Sequence, residues 1–157
     1  MRKLAALMLM IIGSAAQAAP DAVELAASLG LKAEGGQVIN ACDEAVTPTL
    51  TPVELGGAVG TAQLLVIPGG PNTLTCYGDI PGDMHLLVAD GAGWRSIFNG
   101  GGFLIVMPGS HDGVHDFALG GPGFSFPVFQ WDGESFTAGG TISDEDLQAL
   151  GELPTFP

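Results

Sequence analysis

Basic side chains are nearly missing from this chain: Lys and Arg number 4 against 17 Asp and Glu in 157 residues, a formal charge of −13. A surface of that sign repels phosphate backbones and anionic lipid headgroups alike, so nucleic-acid binding is excluded as an expectation. Long apolar runs are missing too. The longest, Leu4 to Ile12, is about half of the roughly 20 residues that cross a bilayer as a helix. Catalytic signatures are equally scarce, with no G-x-S-x-G elbow, no H-E-x-x-H and no C-x-x-C. Gly100-Gly101-Gly102 has neither a lysine nor a following helix with which to hold a phosphate. Only His85, His111 and His115 offer an imidazole as a base, which makes an enzyme the less favoured class.

What is present points to one exported β domain. Residues 1–18 carry Arg2 and Lys3, then the apolar Leu4 to Ile12, then Ala16-Gln17-Ala18 as a small-x-small cleavage site, the order of a secretory signal peptide. Cleavage there leaves Lys32 and Arg95 against 17 acids, hence −15. Stable membrane insertion after cleavage is not expected, and the location is periplasmic or secreted. Cys42 and Cys76, an even count in an exported chain, are expected to form one disulfide. Closing a loop of about 34 residues stabilises by roughly 3–4 kcal/mol on chain-entropy reasoning.

The mature part reads as a single β-rich domain over 19–151 followed by a loose tail, 152–157. Pro20 to Leu29, with acids at its front and Gly30 behind, predicts a short N-terminal helix. Ser143 followed by Asp144-Glu145-Asp146 and closed by Gly151 predicts a short C-terminal helical turn. Between them, short apolar or β-branched runs bounded by Gly, Pro, Asn or Asp recur at Gln37 to Asn40, Gln63 to Ile67, Thr73 to Tyr77, Met84 to Ala89, Trp94 to Phe98 and Phe103 to Met107. They continue at His115 to Leu119, Ser125 to Trp131 and Glu134 to Thr137. The fold class is therefore mainly β, an antiparallel meander of about eight or nine short strands arranged as a small sandwich or propeller-blade-like unit. Asp132-Gly133 reads as a two-residue type I′ turn, which would set Trp131 opposite Glu134 and Phe129 opposite Phe136.

A faint repeat aligns Gly60 to Val66 with Gly113 to Leu119, each running on into a Pro/Gly turn. The second copy, His111-Asp112-Gly113-Val114-His115-Asp116-Phe117-Ala118-Leu119-Gly120-Gly121-Pro122-Gly123, resembles the end of an FG-GAP repeat, the integrin-type propeller unit with the loop D-x-N-x-D-G-x-x-D. The resemblance implies calcium ligation, with Asp112 as the acid before the glycine and Asp116 as the acid closing the loop. The earlier ligand places fall on Pro108 and Ser110, and in the first copy the two acid places fall on Val59 and Gln63. At most a weak calcium site of roughly millimolar affinity is implied, and no other cofactor. Over residues 54–137, Cys76-Tyr77-Gly78, Gly93-Trp94-Arg95, the Gly120 to Gly123 turn and Pro127 to Gly133 also resemble a group of exported bacterial proteins of uncharacterised activity.

Two sets of side chains carry candidate chemistry. His111, Asp112, His115 and Asp116 are the densest potential ligands, and would serve a metal-dependent or hydrolytic enzyme if they converged. Tyr77, Trp94 and Trp131 are the candidate aromatic platform for a partner protein or a glycan in the cell envelope. The favoured expectation is a non-catalytic exported binding or interaction module. The alternative is an enzyme built on the 111–116 loop.

Overall fold

The computed structural model describes residues 20–157; the predicted signal peptide lies outside the described residues. Asp21 opens helix α1 (Ala22–Ser28) as its N-cap, its carboxylate accepting hydrogen bonds from the amides of Val23 and Glu24. Three short strands follow, β1 (Ala33–Glu34), β2 (Gln37–Ile39) and β3 (Ala45–Val46). The long strands are β4 (Thr49–Gly56), β5 (Gly60–Pro68), β6 (Gly82–Asp90), β7 (Gly93–Gly101), β8 (Phe103–His111), β9 (Val114–Gly120), β10 (Ser125–Trp131) and β11 (Phe136–Ser143). Helix α2 (Thr73–Cys76) interrupts between β5 and β6, and helix α3 (Asp144–Ala149) and β12 (Thr155–Phe156) close the chain. Strand makes up 54%, more than twice the share in an average domain, so the mainly β class is what the chain forms.

Every strand pairing is antiparallel. One sheet has the order β4-β5-β6-β7, a second the order β11-β10-β9-β8-β12, and a small third the order β1-β2-β3. The eight long strands are thus two successive four-stranded meanders. They share one core, because period-two alternation sends Val53 and Leu55, Ala62, Leu64 and Val66, and Met84 and Leu86 from the first sheet toward Leu104, Phe117 and Leu119 of the second. The opposite face of the first sheet, with Leu65, Ile67 and Leu87, is covered by Leu25 and Ala26 of α1 and by Val38 and Val46. The outer face of the second sheet, with Ala118, Phe126 and Val128, is covered by Leu147 of α3.

Three expectations are corrected. Thr73 to Tyr77 is not a strand: Pro68 pairs directly with Gly82 and closes the β5–β6 ladder, leaving 69–81 outside the sheet, where the segment turns through α2. The tail 152–157 is not loose, since the Val106 amide donates to the Pro154 carbonyl and Thr155 and Phe156 pair with Ile105 and Leu104. Among the described residues that edge of β8 has no other strand on it, and Phe156 packs half-buried against the shared core. The β10–β11 connection has four residues, not two, so Trp131 faces Phe136 and Phe129 faces Ala138. Among the described residues there are twelve strands, and those the sequence runs did not mark are the two-residue β1, β3 and β12 and the eight-residue β4.

Candidate functional site

Cys42 and Cys76 are joined as expected, with 5.9 Å between their Cα atoms. A disulfide fits an oxidising compartment, and among the described residues no helix is long and apolar enough to cross a membrane.

The 111–116 loop is a tight hairpin whose polar groups are set apart. Along β9, His115, Phe117 and Leu119 point to the inner side of the sheet, and Asp116 and Ala118 to the outer side. His115 lies 3.8 Å from where a Cβ on Gly56 would stand, and its Nδ1 is 3.0 Å from the Met107 carbonyl. On the other side the buried Asp116 holds His111 Nδ1 at 2.8 Å. Asp112 sits at the hairpin tip with φ +51, and its carboxylate makes no hydrogen bond within the described residues. Met107, Pro108 and Gly109 together oppose Asp116 alone, so His115 and Asp116 brace a bulge in β8. Among the described residues no three His, Cys, Asp or Glu side chains gather as an ion site.

The three aromatic candidates do not share a surface. Trp131 is buried in the inter-sheet core, its ring 5.4 Å from that of Phe136 in an edge-on pair. Trp94 packs instead against the α1 side of the first sheet. Tyr77 is committed through its hydroxyl, which accepts from the Ala41 amide and donates to Asp83 Oδ2 at 3.0 Å. Desolvation holds that phenol above its usual pKa, reinforced by Asp83 and opposed by the Ala41 amide.

A concavity of about 560 Å³ lies at the free edge of β7 where the end of α1 and the β10–β11 loop converge. His85, Ser96, Asn99 and Ser135 provide its polar groups, and Leu29, Ile97, Phe98 and Phe136 its apolar walls. His85 and Asn99 stand directly opposite each other in the β6–β7 ladder, hence on one face. A bulge sets Ile97 as the extra residue of β7, since Leu86 pairs with Phe98 and Leu87 with Ser96. The Arg95 guanidinium donates to the Glu134 carbonyl at 2.8 Å and pins the loop that presents Ser135. Burial pushes the His85 imidazole below its usual pKa, partly offset by the charge of Asp83, so the ring is neutral near pH 7. Neither His85 nor Asn99 spends its side chain on a hydrogen bond within the described residues, while Ser96 Oγ donates to the Phe98 carbonyl at 3.1 Å.

Sequence reasoning saw His85 only as one of three imidazoles. Its partnership with Asn99 depends on a strand register that no local pattern displays. No protein family, curated protein or solved structure matches this chain.

Proposed function

We propose that the mature chain is an exported, periplasmic or secreted, non-catalytic binding module, and that the groove at the β7 edge receives an uncharged polyhydroxylated ligand such as an envelope glycan. One observation carries this reading: on a chain with 17 acids and a charge of −13, this groove of about 560 Å³ is lined by no charged side chain, and each of its polar groups can both donate and accept. A neutral imidazole, an amide and two hydroxyls match a ligand rich in hydroxyls, and the apolar walls suit the carbon faces of sugar rings. Its volume lies within the 300–1,000 Å³ typical of small-ligand sites. The non-catalytic reading draws support from the hydroxyls: Ser96 Oγ donates to the Phe98 carbonyl at 3.1 Å and Ser135 Oγ lies 3.5 Å from Asp132 Oδ2, so each is engaged away from His85.

The test is a screen of the mature chain against immobilised neutral and charged glycans, followed by calorimetry on the best ligand. Neutral glycans are expected to bind, Asn99→Ala and His85→Ala to weaken binding at least about tenfold, roughly 1.4 kcal/mol, and Asp112→Ala to change nothing. The bound glycan should be recovered intact. Binding only to a protein partner, indifference to both groove variants, or cleavage of the glycan would each overturn the proposal.

A further inference from the structure

The segment 69–81 crosses the end of the first sheet as a strap, and most of its attachments converge on residues 40–44, with one more to β6 through the Tyr77 hydroxyl and Asp83. Cys76 is bonded to Cys42, Asn72 Nδ2 donates to Glu44 Oε1, and the Ala41 amide donates to the Tyr77 hydroxyl at 3.1 Å. Asn40 fixes the near end, donating through Nδ2 to the carbonyls of Pro68 at 3.2 Å and Gly69 at 3.1 Å while its Oδ1 accepts from Cys42 and Glu44. None of these ties is apolar. Helix α2 buries no residue, Leu74 is 74% exposed, and neither 40–44 nor 69–81 contributes a side chain to any of the three apolar clusters. Beneath the strap, Glu44 Oε2 is shielded from solvent without a hydrogen-bond partner among the described residues. Opening the strap would return that oxygen to water, a gain that works against the closed form.

Cys76 is exposed, whereas Cys42 is only partly so. We infer that the Cys42–Cys76 disulfide is a thiol-exchange site, a clasp that a dithiol reductant opens from the Cys76 side, releasing residues 69–81 while both sheets stay folded. In the first step a thiolate of the dithiol attacks Cys76 Sγ. The sulfur–sulfur bond breaks, and its electron pair leaves on Cys42 Sγ, which takes a proton. The second thiolate of the dithiol then attacks its own sulfur in the mixed disulfide. Cys76 departs as a thiolate and is protonated, and the reductant leaves as a disulfide, so two electrons and two protons reach the protein. The strap then rests on its polar ties and on the half-buried Ile80 against Gly101 and Gly121, outside the apolar clusters, and an exposed disulfide is the kind that exchanges readily.

The experiment treats the mature chain with dithiothreitol at neutral pH without denaturant and follows peptide-resolved hydrogen exchange. Peptides covering 69–81 are expected to exchange at least tenfold faster after reduction, while those from β5, β6, β8, β9 and β10 keep their protection. Brief exposure to reduced glutathione should trap the mixed disulfide on Cys76. The double variant Cys42→Ser, Cys76→Ser should reproduce the reduced pattern in a folded protein. A disulfide that yields only as the sheets lose protection, a glutathione adduct on Cys42, or a double variant that fails to fold would each overturn the inference.

Discussion

Two Asp-Gly pairs sit in two of the three hairpins of the second sheet, β8–β9 and β10–β11, and they turn the chain in different ways. Between His111 and Val114 the pair is the whole connection, with φ +51 at Asp112 and +77 at Gly113, both positive as a type I′ turn requires. Between Trp131 and Phe136 the same dipeptide only begins a four-residue loop, in which Asp132 Oδ1 accepts from the amides of Glu134 at 2.9 Å and Ser135 at 2.8 Å. The difference lies in what must face the core. A two-residue turn at 132–133 would oppose Trp131 with Glu134 and bring a carboxylate to the edge of the apolar core, whereas the longer loop supplies the Phe136 ring. At 112–113 the short turn already delivers Val114, which is fully buried. Local chemistry permits a turn type, and the partners beyond it select among those permitted.

The largest effect should come from removing the side chain that makes this selection. Trp131→Ala empties an indole site that is 8% exposed and packed on Phe136, a loss of about 3–5 kcal/mol measurable by urea denaturation. Phe136→Leu, which keeps an apolar partner opposite Trp131, should cost much less. Equal losses in the two variants would show that the ring pair does not hold the longer loop.

The short turn depends on a different support. Gly57, in the β4–β5 connection, packs against it so closely that a Cβ there would lie 2.7 Å from the Gly113 carbonyl carbon and 2.8 Å from Val114 Cγ2, at φ +53. Gly57→Ala combines left-handed strain with backbone overlap and should cost about 2–4 kcal/mol. Gly113→Ala meets only Gly57 Cα, at 3.7 Å, so strain alone remains and about 1–2 kcal/mol is expected. If Gly113→Ala proved the more damaging by chemical denaturation, the contact between the two turns would not be what anchors the β8–β9 hairpin.

These hairpins also mark how far the sequence can be read. Alternating apolar residues, the Asp21 and Ser143 caps and the punctuating glycines made the β class, both end helices and most long strands legible, because each signal is carried by neighbours in the chain. The disulfide was legible from two cysteines in an exported chain. What stayed hidden depends on pairs distant in sequence. The Trp131–Phe136 register, the docking of Phe156 on the core and the meeting of His85 with Asn99 are decided by which strand lies alongside. The His111–Asp116 set was legible as a cluster of polar groups, but strand alternation divides it between two faces of a sheet. The FG-GAP-like pattern could not convey that division, since it counts spacing and is blind to side.

The smallest effect sharpens the comparison at its polar ends. Backbone hydrogen bonds from Ser135 and Glu134 hold the Asp132 carboxylate below its ordinary pKa of 3.8. Its folded pKa is depressed, so the folded state binds fewer protons than the unfolded chain between the two values. The carboxylate therefore contributes stability that is complete above pH 3.8 and is lost as the pH falls through the lowered folded value. Asp132 is fully solvent-exposed, so screening keeps the effect small, a shallow acid limb in a series of thermal melts at low ionic strength. Asp132→Asn retains an oxygen that can accept from both amides but removes the titrating charge, and should flatten that limb without changing the loop. An acid limb that persists undiminished in Asp132→Asn would overturn the assignment, showing that the capping carboxylate at the head of the long loop is not the group whose charge the fold holds.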